Sequence, residues 1–267
     1  MRKYLRYSAM TWQTAMTFRA NSWLESAGTL LTMLISISLW LFAFSHTGKG
    51  TIANYTKNQM VFYLIVAGFI ASNIYFTAQG DKLISLIRTG KVARYLVRPV
   101  NLMMVNFSRI ISWKVFNFIS SIFGITLIVT LFRINIEFPT SIASVLIFIP
   151  FFIFAIIIHF LIFYTIAMVA FWMDEVWGIS FVVRVFAEVA AGTFIPLTLF
   201  APGWQRLFNL LPFKFIVSVP VNVLMGRMQY FEIFSNLAGA LFWILLLAGC
   251  ATLLMHRGLK HFSAVGG

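Results

Sequence analysis

Residues 142–171 read IASVLIFIPFFIFAIIIHFLIFYTIAMVAF. His159 is the one strongly polar residue in the run, and no Asp, Glu, Lys or Arg breaks it. A helix needs about 20 mostly apolar residues to cross a hydrocarbon core, because every backbone polar group must be satisfied within the segment. This run is longer than that, so the span must tilt, kink at Pro150 or project beyond the bilayer.

The rest of the chain follows the same pattern. Of its 267 residues, 61% are hydrophobic and 10% charged, against the quarter that is usual in soluble domains. A soluble domain, a disordered protein and a disulfide scaffold are excluded, the last because Cys250 is the single cysteine. A compact DNA-binding domain is excluded as well, despite a net charge of +13. Six spans are expected, near residues 25–45, 59–78, 107–132, 142–171, 177–199 and 233–255, the second, fourth and sixth being the clearest. The predicted fold is an all-α integral membrane protein forming a single transmembrane domain.

Orientation follows from Lys and Arg, which collect on the cytoplasmic side. With the N-terminus inside, Arg2, Lys3, Arg6, Arg19, Lys82, Arg88, Lys91, Arg94, Arg98, Arg109, Lys114, Arg257 and Lys260 fall on the inner side. Lys49, Lys57, Arg133, Arg206, Lys214 and Arg227 fall outside, and Arg184 lies within a span. Both termini are therefore expected in the cytoplasm. Residues 1–22 spread their charges too widely for a cleavable signal peptide. They place Leu5, Ala9, Trp12 and Met16 on one helical side and Arg6, Gln13 and Thr17 on another, which predicts an interfacial helix in the headgroup plane.

Two connections carry information. The inner one, residues 79–106, is long and basic, and its spacing predicts helix, break, helix. Asp81 to Thr89 carries Leu83, Ile84, Leu86 and Ile87; Gly90 caps it; a second turn from Lys91 ends before Pro99. Such a helix can dock a partner, although a solvated loop that only enforces topology would show the same charges. The outer connection, residues 200–232, holds two apolar pieces, Trp204 to Leu211 and Phe213 to Leu224, broken by Pro202, Pro212 and Pro220. Each is too short to cross, which predicts a re-entrant or interfacial helical hairpin.

No catalytic constellation is visible. His46, His159, His256 and His261 are scattered and share no metal-ligand spacing with Cys250. Asp174 and Glu175 fit a helix start better than acid–base chemistry. Thr47 to Thr51 departs from a phosphate loop, with Ala43 at the first glycine position and Gly50 at the Ser/Thr position. No catalytic residue, metal or cofactor is therefore expected, and ATP should not be hydrolysed by this chain. Inside the fifth span Arg184 and Glu188 stand at i, i+4, where they either pair to hold the helix or line a pathway or subunit interface.

The surface helix, the six spans, the basic inner loop and the proline-broken hairpin together resemble the ABC-2-type permeases, the membrane subunits of ATP-binding-cassette exporters. Ile87-Arg88-Thr89-Gly90-Lys91-Val92-Ala93-Arg94-Tyr95-Leu96-Val97-Arg98-Pro99-Val100 is similar to a small-residue-Gly and Leu-x-Arg-Pro pattern of one branch of that family. Phe194-Ile195-Pro196-Leu197, Pro202-Gly203-Trp204, Leu211-Pro212-Phe213 and Pro220 to Gly226 are similar to its outer hairpin. The resemblance implies two permease subunits, identical or related, driven by separate cytoplasmic ATPase subunits in a bacterial cell membrane. It implies that Leu83, Ile87, Arg88, Lys91 and Arg94 dock the ATPase, and that Pro202, Trp204, Pro212, Phe213 and Pro220 belong to an outer gate. An apolar interior favours a hydrophobic, amphipathic or lipid-like cargo. The competing possibility is a secondary transporter using Arg184, Glu188 and His159 as coupling groups.

Overall fold

A computed structural model describes residues 2–17, 19–47, 50–52, 54–75, 78–131 and 141–261. Lys49 and Arg133, expected outside the membrane, lie outside the described residues. The described chain is almost entirely helical. In order it comprises α1 (Arg2–Thr17), α2 (Arg19–Thr47), a two-residue hairpin pairing β1 (Thr51–Ile52) with β2 (Tyr55–Thr56), α3 (Lys57–Ile74), α4 (Ala78–Arg88), α5 (Ala93–Leu96) and α6 (Leu102–Leu131). There follow α7 (Ile142–Met168), α8 (Trp177–Ala190), α9 (Pro202–Leu210), α10 (Ser218–Leu224) and α11 (Tyr230–His261).

Among the described residues, four helical stretches are long and apolar enough to cross a membrane: 27–47, 102–130, 142–171 and 230–261. They match the first, third, fourth and sixth expected spans. The second expected span is α3, 18 residues long, whose first turn spends Lys57, Asn58 and Gln59 on polar positions. Its start is fixed by a capping box, Thr56 Oγ1 accepting from Gln59 N at 3.3 Å while Thr56 N donates to Gln59 Oε1 at 3.1 Å. The fifth is shorter than expected. α8 has 14 residues and stops before Gly192, whose φ of +80° turns the chain away. α9 and residues 212–224 are bent by 75° and count as a further crossing only if taken as one broken span. α7 runs unbroken through Pro150, so no helix break there shortens the long apolar run.

Two buried clusters hold the helices together. The larger joins α2, α3, α7, the turn after α8 and α10 through residues such as Met60, Tyr63, Ile70, Phe151, Ile158 and Ile216. The second packs α4 and α5 against α6 and α7 through Leu83, Val92, Leu102, Phe160, Tyr164 and Met168. α1 lies along α6, and Ser8 Oγ donates to the Ser108 carbonyl at 3.3 Å.

Candidate functional site

Amphipathic α4 turns its apolar side inward. Leu83 and Ile87 are only 1% and 3% exposed and join Phe160, Leu161 and Tyr164 in the second cluster. The two residues expected to help dock an ATPase are thus covered by the chain's own side chains. The reason is physical: between two membrane helices, the chain's own apolar side chains are nearer than a partner's. Gly90, at φ +69°, ends α4, with its N–H on the Ile87 carbonyl at 3.1 Å and the Val92 N–H on the Leu86 carbonyl at 3.0 Å. Arg88, Lys91 and Arg94 remain exposed on the far side, and Val97, 83% exposed, tips the second turn.

Arg109 fixes this loop to α1 and α6. Its guanidinium lies 5.4 Å from the Tyr7 ring centre and 5.3 Å from that of Tyr95, and donates to Tyr95 Oη at 2.9 Å. Arg98 donates to Tyr7 Oη at 3.3 Å.

A buried polar layer lies above the loop. Lys114, 9% exposed on α6, donates its ammonium to the carbonyls of Ser72 at 2.9 Å and Tyr75 at 2.7 Å, capping the C-terminus of α3. A cation is favoured there by the helix dipole. Asn73 Nδ2 donates to Ser121 Oγ at 3.0 Å, a second tie between α3 and α6. Tyr75 links three neighbours: its carbonyl holds Lys114, its ring lies 5.2 Å from the His159 ring, and its hydroxyl is 2.7 Å from Thr193 Oγ1, beyond α8. His159 lies between Tyr75 and Phe163, whose ring is 4.7 Å away.

Arg184 and Glu188 border this layer, half-buried on α8. Arg184 is close enough for its charge to act on both Glu188 and His159. Yet neither side chain makes a hydrogen bond or a salt bridge with any described residue. A stranded charge at mid-bilayer costs about 2.5–3.5 kcal/mol on insertion scales.

The hairpin packs on the C-terminal half of α8. Pro202 opens α9, Pro212 opens a 3-10 turn and Pro220 lies in α10. Phe213 and Phe208 meet Phe186 edge-on at 5.6 and 6.1 Å, whereas Trp204 is 54% exposed. Ser218 N donates to the Ala191 carbonyl at 2.9 Å and Tyr63 Oη to that of Gly192 at 2.6 Å, so α8, α10 and α3 meet at one turn. At the rim the Arg227 guanidinium lies 3.8 Å from the Tyr55 ring centre and donates to the Asn54 carbonyl at 2.5 Å. Burial pushes the Tyr55 hydroxyl pKa up, and the Arg227 charge opposes the rise.

A family profile described as "ABC-2 family transporter protein" matches residues 30–266. The chain belongs to the ABC-2 transporter family. It is thereby a multi-pass membrane component of an ABC transporter, a permease of a family whose membership implies association with ABC ATPase subunits. Neither a curated protein nor a solved structure matches it. In this permease the exposed docking candidates are Arg88, Lys91 and Arg94, while Leu83 and Ile87 serve the core. Arg184 lies within electrostatic range of Glu188 and His159, and Lys114 within that of His159. Sequence reasoning placed Arg109 and Lys114 with the inner charges and missed Tyr75. The available signal was a lysine standing between Trp113 and Val115 in an otherwise apolar stretch.

Proposed function

We propose that the chain is the pathway-forming subunit of an ATP-driven exporter, working as a pair of permeases with separate ATPase subunits, for a hydrophobic, amphipathic or lipid-like cargo. α2, α3, α6, α7, α8 with the turn after it, and α11 are the six spans. Both termini face the cytoplasm and the loop after β1 faces outside. α4 and α5 are the coupling element, α1 is the interfacial helix, and the hairpin of Pro202, Trp204, Pro212, Phe213 and Pro220 forms the outer gate. One observation carries this reading: the apolar side of α4 is locked into the permease core while Arg88, Lys91 and Arg94 point away from it. A rigid, basic, outward face beside membrane helices can carry force from an ATPase, whereas a loosely solvated loop cannot. Charge reversal at Arg88 or Arg94 should weaken copurification of the ATPase, more at low salt than at high, because exposed charges are screened over about 8 Å at physiological ionic strength. Normal copurification of both variants at low salt removes the loop from the coupling role.

A further inference from the structure

We infer that Arg184 and Glu188 pair reciprocally between two copies of this chain, Arg184 of each copy with Glu188 of the other. The inference rests on the permease working as a pair, and it names which pair and through which side chains. The observation behind it is that a guanidinium and a carboxylate, one helical turn apart on α8, are both half-buried and both without a hydrogen-bond or salt-bridge partner among the described residues. Lipid tails can cover the apolar side chains beside them, Phe181, Val182 and Val185. They cannot supply five N–H donors with acceptors or give a carboxylate its donors.

Three occupants could satisfy these groups. An anionic ligand would answer Arg184 and leave Glu188 stranded next to it. An intrachain bridge would answer both in part, but it is not formed here although the spacing permits it. A second copy answers both at once, since in a two-fold interface residue i meets residue j and j meets i. Two copies in one membrane run α8 parallel about an axis along the membrane normal. The turn between the two residues is then an axial offset of about 6 Å, within the reach of an arginine side chain. The two residues lie on the flank of α8 between its buried positions Ser180 and Ala187 and its exposed ones, so one side of them is covered and the other is open.

The test uses two differently tagged full-length chains, co-expressed, solubilised and captured through one tag, with recovery of the other measured. Chains that both carry Arg184→Glu bring like charges together at the interface, as do chains that both carry Glu188→Arg. In either case recovery should fall about tenfold, taking about threefold for each lost pair in a membrane and two pairs per interface. Co-expressing one Arg184→Glu chain with one Glu188→Arg chain restores both pairs, so recovery should return to the unsubstituted level. Failure of the mixed combination to recover overturns the inference in favour of an intrachain role. Undiminished recovery of each single variant with itself overturns it in favour of a ligand or the pathway. No ATPase or ATP enters the experiment, so its outcome is independent of the coupling reading.

Discussion

Lys114→Met tests the buried layer with the least disturbance of shape, because methionine keeps most of the lysine stem and removes only the ammonium. That ammonium makes two charge-assisted bonds, 2.9 Å to the Ser72 carbonyl and 2.7 Å to that of Tyr75. Leaving each buried carbonyl without this partner costs about 1–3 kcal/mol. Against this stands relief from burying an ammonium, several kcal/mol in the worst case but reduced here by the helix C-terminus that faces it. The balance is a net loss of about 2 kcal/mol. For a chain of this size 1 kcal/mol corresponds to roughly 2–4 °C, so the melting midpoint should fall by about 4–8 °C. The measurement is thermal unfolding of the detergent-solubilised chain, followed by the monodisperse fraction surviving each temperature. Hydrogen exchange over residues 72–88 should rise in the same variant, since α4 begins three residues beyond Tyr75. An unchanged or raised midpoint would refute the idea that the lysine holds the end of α3.

Other outcomes follow from the same geometry. Gly192→Ala should destabilise the chain by about 1–3 kcal/mol, because an added Cβ at φ +80° is strained and would lie 2.9 Å from Tyr63 Oη; the readout is the same melt. Leu83→Ala should cost about 2–5 kcal/mol in that assay, and Arg88→Glu less than about 0.5, since one side chain is in the core and the other exposed. Tyr75→Phe, which deletes the bond to Thr193 Oγ1, should cost about 1 kcal/mol and should leave ATPase copurification intact. In a Cys250→Ala background, a cysteine at Asn54 should react with an impermeant thiol reagent from outside in intact cells; reaction only after permeabilisation inverts the topology.

The apolar stretches were legible because a bilayer admits so few solutions. A run such as residues 142–171 can only be a membrane helix, and α7 occupies most of it. What the sequence could not show is how deep each polar residue sits. Lys114 was placed with the inner charges because basic residues near helix ends usually are; the structure buries it by giving it two carbonyls at the end of a neighbouring helix. Leu83 and Ile87 read as a docking face since amphipathicity reveals that a face is covered and not by what. The fifth span ended early because Gly192, one small residue in Ala190-Ala191-Gly192-Thr193, takes a left-handed turn that composition cannot reveal. The i, i+4 spacing of Arg184 and Glu188 left a closed pair and a pathway or interface role both open, because spacing permits contact without enforcing it.

The central claim is that the exposed basic face of α4 and α5 seats an ABC ATPase. A photo-crosslinking residue placed at Arg88, in the chain co-expressed with its ATPase, measures this directly when the crosslinked product is mapped by mass spectrometry. The account predicts a crosslink from position 88 to the ATPase subunit, and none from position 83, which is buried in the permease itself. A crosslink from position 83, or none from position 88 in a complex that hydrolyses ATP, would contradict it.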